Sequence, residues 1–494
     1  MQEINDFLNK LDSQRRDILE QSLDILDSNR HGLDSSLEVV PNILVVGSSE
    51  LAISFFNTLK QNYNATLLPY IESFSGYLGN FDVVYDEEKS SFSHIVFFLK
   101  FEIIKPQLGI IFASDYEGEE KLIEELDSLI GSFTYEKSIL YFEDKCQYYH
   151  RNKNEFSYCH TCVDVCPNMA ISKDDNLREL KFLDIDCIYC GLCVNVCPSG
   201  AMQKQIASLY AINKALKLYK DKIVLLLNLS DLENFGFDLA KKINSTNIFP
   251  FLLPNINILN EVYLLSIVQE SAMGCILLGE AHPLLLDSIN YVNSIYEKIF
   301  NKTPISLISN VNNLDSIHIE KLEGYSYEVE KSDFTRSIFS NRIQFFVKNE
   351  DFGIVPNTDS ILYTNLDVNN DKCTLCMSCV EACNANALIN SKDSFSLLFN
   401  PSFCTVCGYC MDLCPEGAIK MTLKGLELRE KYFTYNTKMK DEPFRCVECG
   451  KVFASNRSIS KVQSIMAPLF GEDEVKKRTL LCCSDCKVKI MFKA

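Results

Sequence analysis

The chain has 494 residues, 66 acidic against 48 basic, a net charge of -18, 22 cysteines and no tryptophan. That length exceeds one ordinary core and predicts about three domains or more. The acidic balance excludes sequence-independent nucleic-acid binding and docking to an anionic membrane surface, since both need a basic face.

Residues 1–36, opening "MQEINDFLNKLDSQRRDILEQ", read as a helical arm without an apolar signal core. With no apolar run long enough to cross a bilayer, a cytoplasmic protein without membrane insertion is expected. Thiols stay reduced there, so the cysteines read as metal ligands rather than disulfides. Residues 37–142 begin with "PNILVVGSSELAISFFNTLKQNYNATLLPY", a strand, a small-residue turn, a helix and a second strand, and later carry the apolar strands "SHIVFFLK" and "QLGIIFAS". This predicts a degenerate Rossmann-like domain. Gly47, Ser49 and Ala52 stand where a dinucleotide fingerprint has glycines, and Tyr70 falls near the usual acidic ribose ligand. Gly47 and Ser49 are therefore candidate cofactor-binding residues of a compromised motif, and bound flavin is not expected.

Residues 143–205 form a first ferredoxin module. After it, "KIVLLLN", "NIFPFLLP", "GCILLG" and "ISLIS" alternate with helical stretches over 206–330, predicting a central α/β domain with a parallel sheet. In this domain Cys275 reads as a core thiol and His282 as a helix cap or surface residue. A linking helix over 331–365 leads to a second ferredoxin module, 366–430, and a small four-cysteine domain, 431–494. The expected class is α/β with α+β ferredoxin-like inserts.

The second module carries "CTLCMSCVEAC" and "CTVCGYCMDLCP". In a C-x2-C-x2-C-x3-C run three thiolates hold one cubane and the fourth crosses to its neighbour. This assigns Cys373, Cys376, Cys379 and Cys414 to one 4Fe-4S cluster, and Cys404, Cys407, Cys410 and Cys383 to the next. Asn384 replaces the first usual proline. In the first module "CIYCGLCVNVCP" gives Cys187, Cys190 and Cys193, with Cys166 as crossing ligand. The partner stretch, "FSYCHTCVDVCP", has Phe156 where the first thiolate belongs, leaving Cys159, Cys162 and Cys197 one ligand short. Cys146, upstream in "EDKCQYYH", is the first choice to complete the set. His150 or His160, a three-iron cluster, or a lost site are the alternatives.

Near the end, "RCVECGKVF" and "LLCCSDCKVKI" pair Cys446 and Cys449 with Cys483 and Cys486, leaving Cys482 spare. Two C-x2-C knuckles suit a tetrahedral zinc-ribbon or rubredoxin-like site, holding zinc or a mononuclear iron.

"ILVVGSSELAISFFNTL", "SGYLGNFDVVYDEE" and the cysteine block after them resemble the A subunit of heterodisulfide reductases, reduced in its flavin part. The stretch "FPFLLPNINILNEVYLLSIVQESAMGCILLGEAHP" is similar to the delta subunit of methyl-viologen-reducing hydrogenase, without its cluster cysteines. The order of blocks, with a cysteine before the incomplete motif and a terminal "CVECGK...CCSDCK", resembles multi-cluster ferredoxin proteins of campylobacter-like bacteria, of the type associated with formate dehydrogenase. These resemblances imply an electron-transfer protein with about four 4Fe-4S clusters, whose partner is a redox enzyme or electron carrier. The rivals are a flavin-binding oxidoreductase subunit and a maturation or scaffold factor for a redox enzyme.

Overall fold

The computed structural model describes residues 2–30, 34–99, 107–150, 159–244, 246–391 and 395–491; Phe156 lies outside them. The chain is mixed α/β, with two parallel sheets among the described residues and two cysteine-rich modules. Among the described residues no helix is long and apolar enough to cross a membrane.

The first parallel sheet runs Asn64–Leu68, Asn42–Val46, His94–Phe97, Ile110–Phe112. Its residues alternate between two cores, as period-two side chains must. Ile43, Val45, Val96 and Ile111 face the helices Glu50–Leu59 and Glu119–Ser128. Leu44, Val46, Ile95 and Phe97 face an antiparallel meander of Ser73–Tyr77, Asn80–Tyr85 and Glu88–Phe92. "SGYLGNF" is the first hairpin of that meander, with Gly76 and Gly79 at φ 112° and 89°.

The second parallel sheet has the order Ile248–Leu253, Ile223–Asn228, Cys275–Leu278, Ile305–Ile308. Val224, Leu226, Phe251, Cys275 and Leu277 join the largest core, beneath the helices Leu209–Leu216, Glu261–Ser271 and Pro283–Phe300. Cys275 is fully buried, and burial pushes its thiol up. His282 caps the helix Pro283–Phe300, its Nδ1 accepting from Leu284 N at 3.3 Å.

The opposite face is closed by the N-terminal arm, helices Gln2–Leu8 and Ser13–Ser28, through Phe7, Leu11 and Leu19. Arg15 fastens it: the guanidinium donates to Ile248 O at 2.9 Å and lies 4.6 Å over the Phe249 ring. The arm thus skips its sequence neighbour and completes a sheet about 200 residues away.

The two cysteine modules share one plan. In each, a first strand pairs with a last, Ile139–Tyr141 with Met202–Lys204 and Asn365–Val368 with Ile419–Thr422. A central hairpin follows the first half, Ile171–Asp174 with Glu179–Phe182 and Leu388–Ser391 with Ser396–Phe399.

Two elements depart from the sequence reading. The 331–365 link is a helix only over Thr335–Val347. Lys348 at φ 46° ends it, and Asp351–Val355 continues as a strand against Leu426–Arg429. Strand Asn436–Lys440, read as part of the terminal domain, pairs with Ser396–Phe399 and buries Met439 in the second module's core. The remainder of the C-terminus is the hairpin Pro443–Arg445 with Val452–Ser455 and three helices.

Candidate metal centres

Backbone conformation makes each cysteine loop a ligand cradle. In three loops the same two positions between cysteines are left-handed: Tyr189 and Gly191 (φ 58° and 78°), Leu375 and Met377 (55° and 65°), Val406 and Gly408 (59° and 81°). Left-handed residues reverse the chain between ligands, so successive sulfurs can turn toward one point. At Gly191 no other residue fits, since a Cβ would lie 2.3 Å from Ile258 Cγ2. The first loop departs: His160, matching Gly191, has φ -137°. The third residue after the last cysteine is left-handed in all four copies, Met169, Gly200, Asn386 and Gly417.

Buried cysteines of both modules act on one another. Burial raises the Cys193 thiol, and Cys187, Cys190 and Cys166 raise it further. Cys379 is pushed up to about 12 by burial, then by Cys373, Cys376 and Cys414. Cys404 reaches about 12 through burial, Cys407 and Cys383, and Cys410 rises through burial and the same set. In the incomplete quartet Cys159 rises to about 12 through burial, Cys197 and Cys146. Cys162 is raised by burial and by Cys197, Cys159, Cys193 and Cys146. Cys146 thus stands with Cys159, Cys162 and Cys197.

Cys146 also occupies the place of a first cysteine. It ends a strand followed by a 3-10 turn, its N–H donating to Glu143 O at 3.0 Å. Cys187 and Cys404 are delivered by the same device, donating to Asp184 O and Pro401 O at 3.1 Å each. Residues 147–158 separate Cys146 from Cys159. The two histidines are engaged by carboxylates, His150 Nε2 with Glu179 at 3.2 Å and His160 Nδ1 with Asp164 at 2.8 Å.

Backbone donors already point at the sulfurs. Ala170 N reaches Cys166 Sγ at 3.2 Å, Ala418 N reaches Cys414 Sγ at 3.3 Å, and Met202 N and Tyr148 N reach Cys197 and Cys146 Sγ at 3.4 Å each. Buried thiols crowded together, whose ionised forms would repel one another, are a donor set suited to a soft cationic iron-sulfide core. Cations stand nearby as well. Lys204 is buried, lies 4.8 Å over the Tyr189 ring and feels Cys187, Cys193 and Cys190; Arg336 acts on Cys404 and Arg457 on Cys373.

The terminal site is tighter. The sulfurs of Cys446, Cys449, Cys483 and Cys486 all lie within 4.8 Å of one another, with Cys449 and Cys483 at 3.7 Å. A tetrahedron with metal–sulfur bonds of about 2.3 Å has sulfurs about 3.8 Å apart, so the four fit one ion. Burial opposes ionisation of Cys446, but the N–H groups of Cys483, Cys449 and Glu448 bring it down to about 6. Cys482 stands outside the quartet, its Sγ donating to Arg478 O at 3.3 Å.

The glycine turn is less suited to a dinucleotide. A Cβ on Gly47 would sit 2.9 Å from Phe98 Cβ, so the glycine serves strand packing. Ser49 caps its own helix, Oγ accepting from Ala52 N at 3.2 Å. Tyr70 is exposed and its hydroxyl donates to Asp86 at 2.8 Å. A cavity of about 790 Å³ does lie beside them, lined by Ser49, Phe97, Phe98, Phe112, Tyr116 and Leu122.

Two residues that sequence reasoning passed over stand beside the centres without being ligands. Lys204 carries no motif signal. Asn384 was visible only as a missing proline, and its amide reaches the first module: Nδ2 donates to Asp144 O at 3.1 Å and Cys146 O at 3.3 Å.

A family model described as a 4Fe-4S dicluster domain matches residues 157–201, and a second of the same description matches 372–419. Comparison of the chain with curated proteins finds no match. The two dicluster domains make this an iron-sulfur, ferredoxin-type, metal-binding protein whose chemistry is electron transfer. Cys146 lies upstream of the first matched segment.

Proposed function

We propose that the chain relays single electrons through four 4Fe-4S clusters to or from a partner oxidoreductase. What supports it most is that Cys159, Cys162, Cys193, Cys379, Cys404 and Cys410 are buried and feel cysteines of their expected sets, with Cys146 among those around Cys159 and Cys162. The sets are Cys146, Cys159, Cys162 and Cys197; Cys187, Cys190, Cys193 and Cys166; Cys373, Cys376, Cys379 and Cys414; and Cys404, Cys407, Cys410 and Cys383. When bound, the clusters supply reversible one-electron chemistry, and the protein sets potentials through burial, N–H···S bonds and nearby charge. Cys446, Cys449, Cys483 and Cys486 hold zinc in a structural role, with mononuclear iron as the competing occupant. The resemblances noted above support a formate dehydrogenase or a heterodisulfide-reductase-like enzyme as partner, and reduced thiols support a cytoplasmic setting.

Anaerobic iron, sulfide and zinc analysis with EPR of the reduced protein tests this. About sixteen cubane irons and one zinc per chain are expected; fewer than about twelve irons would overturn the four-cluster model. The cavity beside Ser49 favours a second reading, a flavin-binding oxidoreductase subunit. A flavin absorption band in the anaerobically purified protein would establish it in place of the simple relay.

A further inference from the structure

The ferredoxin modules are separated in sequence by the whole central domain, yet they touch at two of their ligand loops. Asn384 directly follows Cys383, and its amide donates to the carbonyl of Cys146 and to that of Asp144. Gln147, which follows Cys146 and is buried, donates back to Asn384 Oδ1 at 2.9 Å. Cys146 and Cys383 are thus linked through one peptide unit, one side chain and one hydrogen bond. In the other three loops this position is a proline, Pro167, Pro198 or Pro415, which carries no amide to form such a link.

Two further observations bring together other loops of the same two cysteine sets. The helix Thr335–Val347 braces both: Thr335 Oγ1 donates to Pro198 O at 2.8 Å, beside Cys197, and Ser340 Oγ pairs at 2.7 Å with Ser402 Oγ, two residues before Cys404. Thr335 and Ser340 are separated by a helical rise of about 7.5 Å. Apolar packing agrees, because Ala382, Tyr409 and Cys407 join the core that holds Cys146, Cys162 and Cys197.

Within each module the quartets also neighbour one another, Cys193 with Cys197 and Cys410 with Cys379. The far ends face other domains. Gln107 of the Rossmann-like domain donates to Asp186, before Cys187, at 2.8 Å, and Ser458 of the terminal domain donates to Thr374 O, beside Cys373, at 2.6 Å.

We infer that Asn384 and Gln147 are positioning residues that join the two modules into one four-centre line. Its order is the Cys187 set, the Cys146 set, the Cys383 set, then the Cys373 set. This rests on the four-cluster reading above. With clusters held by these residues, one electron passing across the Asn384 contact would oxidise the Cys146 centre by one unit and reduce the Cys383 centre by one, with no bond or proton change. A one-electron donor protein at one end of the line and a one-electron acceptor protein at the other complete the balance.

The test uses the full chain, anaerobically loaded and reduced with dithionite. The parent is expected to show spin–spin broadening between the Cys146 and Cys383 centres. Asn384→Pro installs the residue of the other three loops, and Gln147→Ala removes only the reciprocal bond. Both should keep the iron count, lose broadening and slow electron equilibration between modules after a substoichiometric dose of dithionite. Iron-replete variants that match the parent in both readouts overturn the inference. A parent nearly devoid of iron would instead overturn the four-cluster reading, so the two failures are distinguishable.

Discussion

At Cys146 the spacing rule and the local structure disagree about where a motif begins. Counting back by the usual two-residue gap lands on Phe156, whereas the strand and 3-10 turn that deliver a first ligand end at Cys146. A signal was present in the sequence: Asp144-Lys145-Cys146 repeats as Asp371-Lys372-Cys373 at the head of the second module. Fixed-gap counting cannot see it, because the sulfur's position depends on the turn before it rather than on the gap after it. Cys146→Ser should therefore lower the iron content by up to about four per chain and remove one EPR component, because one cubane loses a ligand. His150→Ala and His160→Ala should leave iron analysis unchanged, since both imidazoles already pair with carboxylates. Lys204 gives a second residue-scale prediction. Its ammonium beside Cys187, Cys190 and Cys193 stabilises the more negative, reduced cluster. Lys204→Met should lower the potential of that centre alone by tens of millivolts in a redox titration, corresponding to about 1–2 kcal/mol of lost attraction.

At the scale of elements, both parallel sheets were legible because strands buried on both faces read as continuous apolar runs. Leu44 and Val46 face one core while Ile43 and Val45 face another, and "IVLLLN" divides between its two faces in the same way. What periodicity could not show was partnership. The strand Asp351–Val355 lies inside an expected helical link, because its pairing strand, Leu426–Arg429, is some 70 residues away. The connecting helix itself is anchored by an ion pair invisible to local pattern. Arg342 and Glu270 are 0% and 2% exposed and meet at 2.8 Å, and Gln269 Oε1 accepts from the same guanidinium at 3.1 Å. Removing one member strands the other charge in the core. Arg342→Met should cost about 3–5 kcal/mol, and the double change Arg342→Met with Glu270→Met far less. Thermal melts of the loaded proteins check the contrast, and similar losses in both would show that packing rather than charge holds this helix.

For the whole molecule, the sequence disclosed two parallel sheets and two cysteine modules but not their mutual contacts, which depend on isolated side chains such as Arg15, Asn384 and Gln107 rather than on any repeated pattern. One such side chain makes the stability of the assembly depend on pH. His94 opens the third strand of the first parallel sheet, is 0% exposed, and its ring nitrogens find no hydrogen-bond partner among the described residues. Burial holds its pKa down, from 6.5 to about 4. Because the folded pKa is depressed, the unfolded form binds the proton first as pH falls, and stability is lost between about pH 6.5 and 4. Linkage with those two values puts the loss near 2 kcal/mol at pH 5 relative to pH 7.5, all of it in this domain. Acid should therefore loosen the sheet around Asn42–Val46 while the ferredoxin modules and the central sheet stay closed. Hydrogen exchange followed by mass spectrometry, comparing parent with His94→Leu at each pH, isolates the effect from intrinsic exchange. The parent should lose protection in this sheet at pH 5 and the variant should not; equal loss in both would place the acid-sensitive group elsewhere.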